Sequence, residues 1–480
     1  MAVDDPWWWS AGKTALAIRE RHISAVELAN IYVGRSKALS YLNALVLLRQ
    51  DELIAEARRV DESSPDLQGV LAGVPFTVKD LVATAGTRTA AGSLVLADNE
   101  PRYDAPAVAA LRNCGALLLG KSACPELGLS VLTESRLHGV TLNPWDTDKS
   151  PGGSSGGESA LIAAGGSPLG IGTDFGGSLR WPAHCTGVFS LRPTPGVVPA
   201  AGQLPGAGGG SAVTSPALAD PWCLQGSLQV VGPLARCVSD LELALGILSD
   251  GGTRDLLGAG SPGMSRGRHW NRDVAIGWCA GDGTTPVDDE TSGLMETVAA
   301  HMGRDGYTVV HRPAALSGGH GCYNDLRDYD PLLNARALVA GKEDMIGDEL
   351  RQALDRSSGP HPQPEAAVRE RALLWRQEFI SGLEETPVLL APVAPTPAVG
   401  HDGRAVVSAR ELAKWELMAF CRAVSLTGAP VVTVPCCRST AGLPMAVQVV
   451  GPPFGERMVL EVARYLEDAF GGFSPPPGVD

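Results

Sequence analysis

No stretch of about 18 uninterrupted apolar residues occurs in this 480-residue chain, so no membrane-spanning helix is expected. Clusters of Lys and Arg are also missing, and the formal charge is −14. A protein whose main task is to hold nucleic acid or an anionic membrane needs such clusters, so both classes are set aside. The first ten residues, Met1-Ala-Val-Asp-Asp-Pro-Trp-Trp-Trp-Ser10, have no basic segment followed by an apolar one. A secretory signal is therefore not expected, and a cytoplasmic location is. Ten cysteines (114, 124, 185, 223, 237, 279, 322, 421, 436 and 437) lie scattered without a repeated CxxC spacing. That argues for free thiols and against a disulfide framework or a zinc site. Cys436 and Cys437, as neighbours on a strand, should point to opposite faces. No internal repeat is visible. What the chain has in quantity is Gly (58) and Pro (36), which implies many tight turns between short elements.

Length alone suggests about three domains, but large α/β enzymes often use one continuous sheet. Ser24-Ala-Val-Glu27 is a capping box that should open a helix reaching about Leu39, and Asp51–Val60 reads as another helix. From Val70 to about Leu248, short apolar strands (Val74–Val78, Ala116–Leu119) alternate with small-residue helices (Pro106–Asn113, Glu158–Ala164), which indicates α/β layering. A second capping box, Ser239-Asp-Leu-Glu242, should start a helix through Ile247. Ala200–Gly226 and Gly251–Asn271 read as long loops. A strand, helix and strand follow (Val274–Trp278, Glu290–Met302, Tyr307–His311), then a more polar helical stretch over 318–385. Strands return at Val388–Leu390, Val431–Val434 and Met445–Val449, with helices at Arg410–Val424 and Arg457–Phe470. Core-like strands at both ends favour one interlocked domain over 1–480. Within it we expect N-terminal helices over 10–62, a catalytic core over 70–250, a substrate-shaping region over 251–386 and a return to the core over 387–472.

Three short patterns invite misreading. Gly115-Ala-Leu-Leu-Leu-Gly-Lys121-Ser122 fits GxxxxGK[ST], but a phosphate cradle needs its middle residues in a loop after a strand. Here those residues are themselves the strand, and a helix precedes them. Gly258-Ala-Gly-Ser-Pro-Gly263 fits GxGxxG but contains Pro262 and follows no strand, so a dinucleotide fingerprint is rejected. Gly152-Gly-Ser154-Ser-Gly156 fits the GxSxG nucleophile elbow, which demands a strand just before the serine. Asn143-Pro-Trp-Asp-Thr-Asp-Lys-Ser-Pro151 precedes it instead, and this is turn-forming sequence.

A different serine fits the chemistry of a nucleophile. Glycines just before Ser178, in Gly172-Thr-Asp-Phe-Gly-Gly-Ser178, allow a sharp turn in which consecutive N–H groups converge beside the hydroxyl. Such a cluster stabilises an oxyanion. The nine histidines (22, 138, 184, 269, 301, 311, 320, 361 and 401) are dispersed, and none stands out as a base. Lys79 ends the apolar run Val74-Pro-Phe-Thr-Val78, so its amine is delivered to the end of a buried strand. Burial lowers a lysine pKa and makes the neutral amine available as a proton acceptor. Taken alone, the same residues also fit a flexible glycine turn and a lysine paired with Asp80.

Taken together, Gly73-Val-Pro-Phe-Thr-Val-Lys79-Asp80, Ser150-Pro-Gly-Gly-Ser-Ser-Gly-Gly-Glu-Ser-Ala160 and Gly172 through Ala183 resemble the amidase signature family of serine hydrolases. Gly120-Lys121, Glu126, Leu191-Arg-Pro-Thr194, Val231-Gly-Pro-Leu234, Gly442-Leu-Pro444 and Gly451-Pro452 add to the resemblance. It spans most of residues 20 to 250 and 387 to 470. The resemblance implies an α/β fold with a large mixed twisted β-sheet covered by helices on both faces. It implies Ser178 as the acylated nucleophile, Lys79 as general base and Ser154 as the serine that relays protons between them. The Gly153–Ser154 peptide would be cis, and the N–H groups of Phe175, Gly176, Gly177 and Ser178 would form the oxyanion hole. Ser155, Asp174 and Arg180 would hold the loop. No cofactor and no metal are implied.

The expected substrate is a small-molecule carboxamide with an apolar or aryl acyl part. The stretch Glu158–Gly170 and the bulky Phe175 look more like fatty-acid-amide-hydrolase relatives than the glutamine-hydrolysing component of tRNA amidotransferases, which usually carries a small residue at position 175. No membrane insertion and no nucleic-acid partner are expected, and a homodimer is compatible with all of this. Two alternatives share the triad: an amide-forming acyltransferase, and an amidotransferase component releasing ammonia from glutamine.

Overall fold

Strands buried on both faces of a sheet read as continuous apolar runs, and helices must cover both faces to keep them dry. That is how the Val- and Leu-rich segments here are used. In the computed structural model, which describes residues 5–64, 69–205, 224–249 and 269–479, eleven strands form one mixed sheet. In chain order they are β1 (Leu45–Leu48), β2 (Pro75–Lys79), β3 (Leu117–Ser122), β4 (Leu169–Asp174), β5 (Phe189–Arg192), β6 (Val230–Ala235), β7 (Ile276–Trp278), β8 (Val309–His311), β9 (Val388–Pro392), β10 (Val431–Arg438) and β11 (Pro444–Val450). Across the sheet the order is β1-β3-β2-β4-β6-β5-β10-β11-β9-β7-β8. Strands β2, β3 and β4 run parallel, with Lys79 opposite Ser122 and Val78 opposite Ile171. The centre is antiparallel, and β9, β7 and β8 are parallel again.

One apolar cluster runs through the whole chain, joining Ala11, Phe76, Ile171, Leu191, Val231, Val298, Leu390, Val449 and Leu466. The ends are tied as well: Arg35 donates to the Val479 carbonyl at 3.2 Å, and Arg236 donates to the carbonyls of Trp7 and Trp9. The result is the single α/β domain with a large mixed sheet and flanking helices that the resemblance implied. The Ser24/Glu27 capping box forms in full at the head of the helix Ala25–Ala38.

Differences from the expectations are local. The second capping box does not form, because the helix starts at Val238 and takes Ser239 inside it. The Val238 N–H is instead held by the carboxylate of Glu467, reaching over from the helix Glu456–Phe470. Arg410–Val424 is not one helix: it breaks into a short strand at Arg410–Glu411, a 3-10 turn over Lys414–Met418 and a helix over Ala419–Ser425. Cys436 is buried and Cys437 exposed, on opposite faces of β10. The Gly258–Gly263 pattern, Cys223 and most of the two long loops lie outside the described residues.

Candidate active site

Parallel strands end at the same edge of a sheet, and ligands of open α/β sheets collect at their carboxyl ends. The carboxyl ends of β2 and β4 place Lys79 and Thr173 side by side. Lys79 Nζ donates to Ser154 Oγ at 2.6 Å and to Thr173 Oγ1 at 2.8 Å. Lys79 is fully buried. Burial pulls its ammonium down from 10.5 to about 8, and the negative charges of Asp174 and Glu158 and the nearby Cys124 resist the shift. The neutral amine is thus accessible near physiological pH.

Ser154 follows a cis peptide from Gly153 and precedes helix α1 (Gly156–Ala163). No strand leads into it, in keeping with the rejection of the nucleophile elbow. The turn holding Ser178 lies between β4 and helix α2 (Arg180–Thr186). The two serine loops are joined where the Ser155 N–H donates to the Ser178 carbonyl at 3.1 Å. Ser155 Oγ in turn donates to the Thr173 carbonyl at 3.2 Å.

Asp174 organises the turn that carries Ser178. Its carboxylate accepts from the N–H groups of Gly177 (2.9 Å) and Leu179 (3.1 Å) and from Arg180 Nε and Nη2, both at 3.0 Å. Arg192 Nε approaches to 3.5 Å. Gly177 has φ +131, and a Cβ there would come within 2.7 Å of Cys421 Cβ, so this position requires glycine. Gly177 departs from the expectation for the oxyanion hole, because its N–H is already given to Asp174. The N–H groups of Phe175, Gly176 and Ser178 make no such bond among the described residues.

Two polar residues beneath the site carry no role in the reading of the sequence. Glu158 on α1 is buried and accepts from Ser122 Oγ at 2.5 Å and from Thr77 Oγ1. Burial pushes its carboxyl up to about 7, which the two hydroxyls and the Lys121 and Lys79 charges partly offset. Thr173 is the other. Both stand inside motifs quoted above, so the signal was present but silent about contacts made between distant strands.

Lys121, which a phosphate-loop reading would need at the surface, is buried and donates to Thr84 Oγ1 at 2.9 Å and to the Val82 carbonyl. His184, the histidine nearest Ser178 in sequence, is buried between the Thr396 carbonyl and the Ala446 N–H, and burial lowers its pKa to about 4. Among the described residues no group of acidic, Cys or His side chains is arranged to hold a metal. No helix among them is long and apolar enough to cross a membrane.

Ser178 and Gly176 open onto a cavity that is also lined by Leu129, Phe175, Tyr323 and Met418. Histidine does not occur among its lining residues. Residues between 323 and 356 supply one wall. Trp415, Met418 and Arg422 supply another, which the sequence did not suggest because that segment reads as an ordinary helix.

Comparison with known proteins identifies the family. An indoleacetamide hydrolase of Bradyrhizobium diazoefficiens is 33% identical over 479 residues, covering 97% of this chain and 87% of that one. A glutamyl-tRNA(Gln) amidotransferase component of Nitratidesulfovibrio vulgaris is 30% identical, covering 91% and 92%. A solved amidase crystal structure superposes with a TM-score of 0.83 at 24% identity, covering 96% of this chain and all of that one. The Amidase family model matches residues 27–460, and on that match the chain belongs to the amidase family.

Proposed function

We propose that the protein hydrolyses the carboxamide bond of a small molecule with an apolar or aryl acyl part through an acyl-enzyme on Ser178, with Lys79 and Ser154 moving the protons. The observation that carries this reading is the 2.6 Å contact between Ser154 Oγ and a fully buried Lys79 whose pKa lies near 8. Neutral Lys79 takes the Ser154 proton while Ser154 takes that of Ser178, and Ser178 Oγ forms its bond to the amide carbon. The N–H groups of Phe175, Gly176 and Ser178 receive the developing oxyanion. The proton returns through Ser154 to the amide nitrogen, the C–N bond breaks and the amine leaves. Water then adds to the ester by the same relay, releasing the acid and restoring Ser178. Thr173 holds the Lys79 amine in place through its 2.8 Å contact.

The test is labelling with a fluorophosphonate, mapping of the modified residue, and a screen of amides. Labelling at Ser178 with amide turnover is expected; labelling elsewhere would overturn the mechanism. The relationship to the amidotransferase component supports a second reading, release of ammonia from glutamine for a partner protein. Glutamine belongs in the same screen for that reason.

The pH profile follows from the base. Below its pKa Lys79 is protonated and cannot accept, so kcat/KM should rise about tenfold per pH unit up to roughly pH 8 and then level. Glu158 helps to hold the Lys79 proton on. Glu158→Gln removes that charge, so the acid limb should move to lower pH. A limb displaced upward, or unmoved, contradicts this coupling.

A further inference from the structure

The cavity at Ser178 carries a charge pattern that amide cleavage itself does not use. Arg327, Arg356 and Arg422 line it, and its one acidic residue is Asp328, in a chain whose overall charge is −14. Asp328 lies 4.0 Å from Arg356. Arg327 and Arg422 have no carboxylate partner among the described residues. Arg327 rests against the Phe175 ring at 5.6 Å and is partly exposed.

Arg422 is the telling one. It is 7% exposed, on the short helix Ala419–Ser425. Its Nη1 donates to Asn324 Oδ1 at 2.6 Å, and its buried Nε has no partner. The guanidinium lies 5.1 Å from the Tyr323 ring centre and 4.6 Å from that of Trp415. Its stem borders the nucleophile turn, since a Cβ on Gly176 would sit 3.4 Å from Arg422 Cγ. The fully buried Arg180 and Arg192 behave differently, because both meet Asp174. A buried guanidinium with no counter-anion and an unused donor is costly unless an anion arrives from outside. Burial is the main reason its pKa falls to about 10, and the neighbouring Arg327 and Arg356 charges add to the fall.

We infer that the substrate carries a carboxylate besides its scissile amide, and that Arg422 receives it, with Arg327 adding to the positive field. This rests on the amidase reading above. The Nε edge of a guanidinium already tied to Asn324 matches the two oxygens of one planar carboxylate, whereas a phosphate dianion calls for more donors. Leu129, Trp415 and Met418 then face the apolar or aryl body between the two polar ends. A glutamine-like substrate fits less well, since its α-ammonium needs an acid, and Asp328 is engaged by Arg356.

The experiment compares ammonia release from matched amides: 4-carbamoylbenzoate against neutral 4-acetylbenzamide, and adipic acid monoamide against 6-oxoheptanamide. In at least one pair kcat/KM for the acid should exceed that for the neutral amide by about thirtyfold. Arg422→Gln should shrink the preference below about threefold, and Arg422→Lys should recover part of it. Equal turnover of acid and neutral amide, or a preference that survives Arg422→Gln, overturns the inference. As a measurement independent of any variant, terephthalate should slow fluorophosphonate labelling of Ser178 in the wild-type protein at concentrations about tenfold below those needed of 1,4-diacetylbenzene. Equal potency again overturns it. The two readings fail separately. Absence of both Ser178 labelling and amide cleavage removes the amidase reading, whereas labelling and cleavage with no preference for the acid removes only the carboxylate.

Discussion

Ser178→Ala should lower kcat/KM on any amide that the protein cleaves by about 10⁴-fold or more, because in the mechanism we propose formation of the acyl-enzyme depends on that one oxygen. The loss should come without unfolding. The side chain contributes only a hydroxyl, while the anchoring contacts of its turn, Ser155 N–H to the Ser178 carbonyl and the Asp174 network, run through atoms that alanine keeps. Lys79→Ala should cost about as much, since no other base touches Ser154 among the described residues. The double variant should be scarcely slower than either single one, because residues that act as a unit lose their effect together. Rates measured for the three variants, with fluorophosphonate labelling as a control, decide the matter. Hydrolysis by Ser178→Ala at the wild-type rate, or losses that multiply in the double variant, would falsify the assignment.

The second large effect concerns stability. Asp174→Ala should destabilise the fold by about 3–5 kcal/mol, read as a shift in the denaturant midpoint. The carboxylate faces two fully buried guanidinium groups, Arg180 and Arg192, and also accepts the Gly177 and Leu179 N–H groups. Removing it leaves both charges buried without a counter-ion. Arg180 keeps only neutral acceptors, the Cys421 carbonyl, Gln448 and Ser425, and Arg192 keeps the Ala429 and Leu228 carbonyls.

The pH dependence has a definite sign. Burial alone would raise the Asp174 pKa, but the Arg180 charge and hydrogen bonds and the Arg192 charge outweigh it and hold the carboxyl at about 2, below its ordinary 3.8. A depressed carboxyl contributes stability that is fully present above the unfolded value and lost as the pH falls through the folded one. The wild type should therefore lose stability between pH 4 and pH 2, and that part of the curve should flatten in Asp174→Asn. A cost for Asp174→Ala of less than about 1 kcal/mol would show that the network is dispensable.

These two sites also show what could be read from the chain. Lys79 and Ser178 stand out in one dimension because each lies in a local pattern with a local consequence, whereas Ser154 stands out only through the resemblance of its motif to the amidase signature. An apolar run ending in lysine buries that lysine, and Gly-Gly before serine makes a turn that other residues cannot make. Strand and helix positions followed for the same reason, since alternation and helical spacing depend on neighbours a few residues apart. The errors fell where a distant group took over a local role. Glu467, not Ser239, caps the helix at Val238. The segment before Ala419 is not one helix, because Arg410 and Glu411 pair with Val407 and Val406 in a two-stranded corner that local spacing does not reveal.

By itself, then, the sequence indicated the class of fold through its alternating strands and helices and set the nucleotide motifs aside through their spacing, while the parts proposed for Lys79, Ser154 and Ser178 came from the resemblance of their motifs to the amidase signature. Only the tertiary structure decided which groups tune that chemistry. Thr173 reaches Lys79 across 94 positions, Glu158 reaches Thr77 across 81, and Asn324 meets Arg422 across 98. The physical reason is that an arginine in a small-residue helix looks like a solvated surface group until packing buries it. Burial then turns an ordinary cation into one that needs an anion, and only the folded chain contains that information.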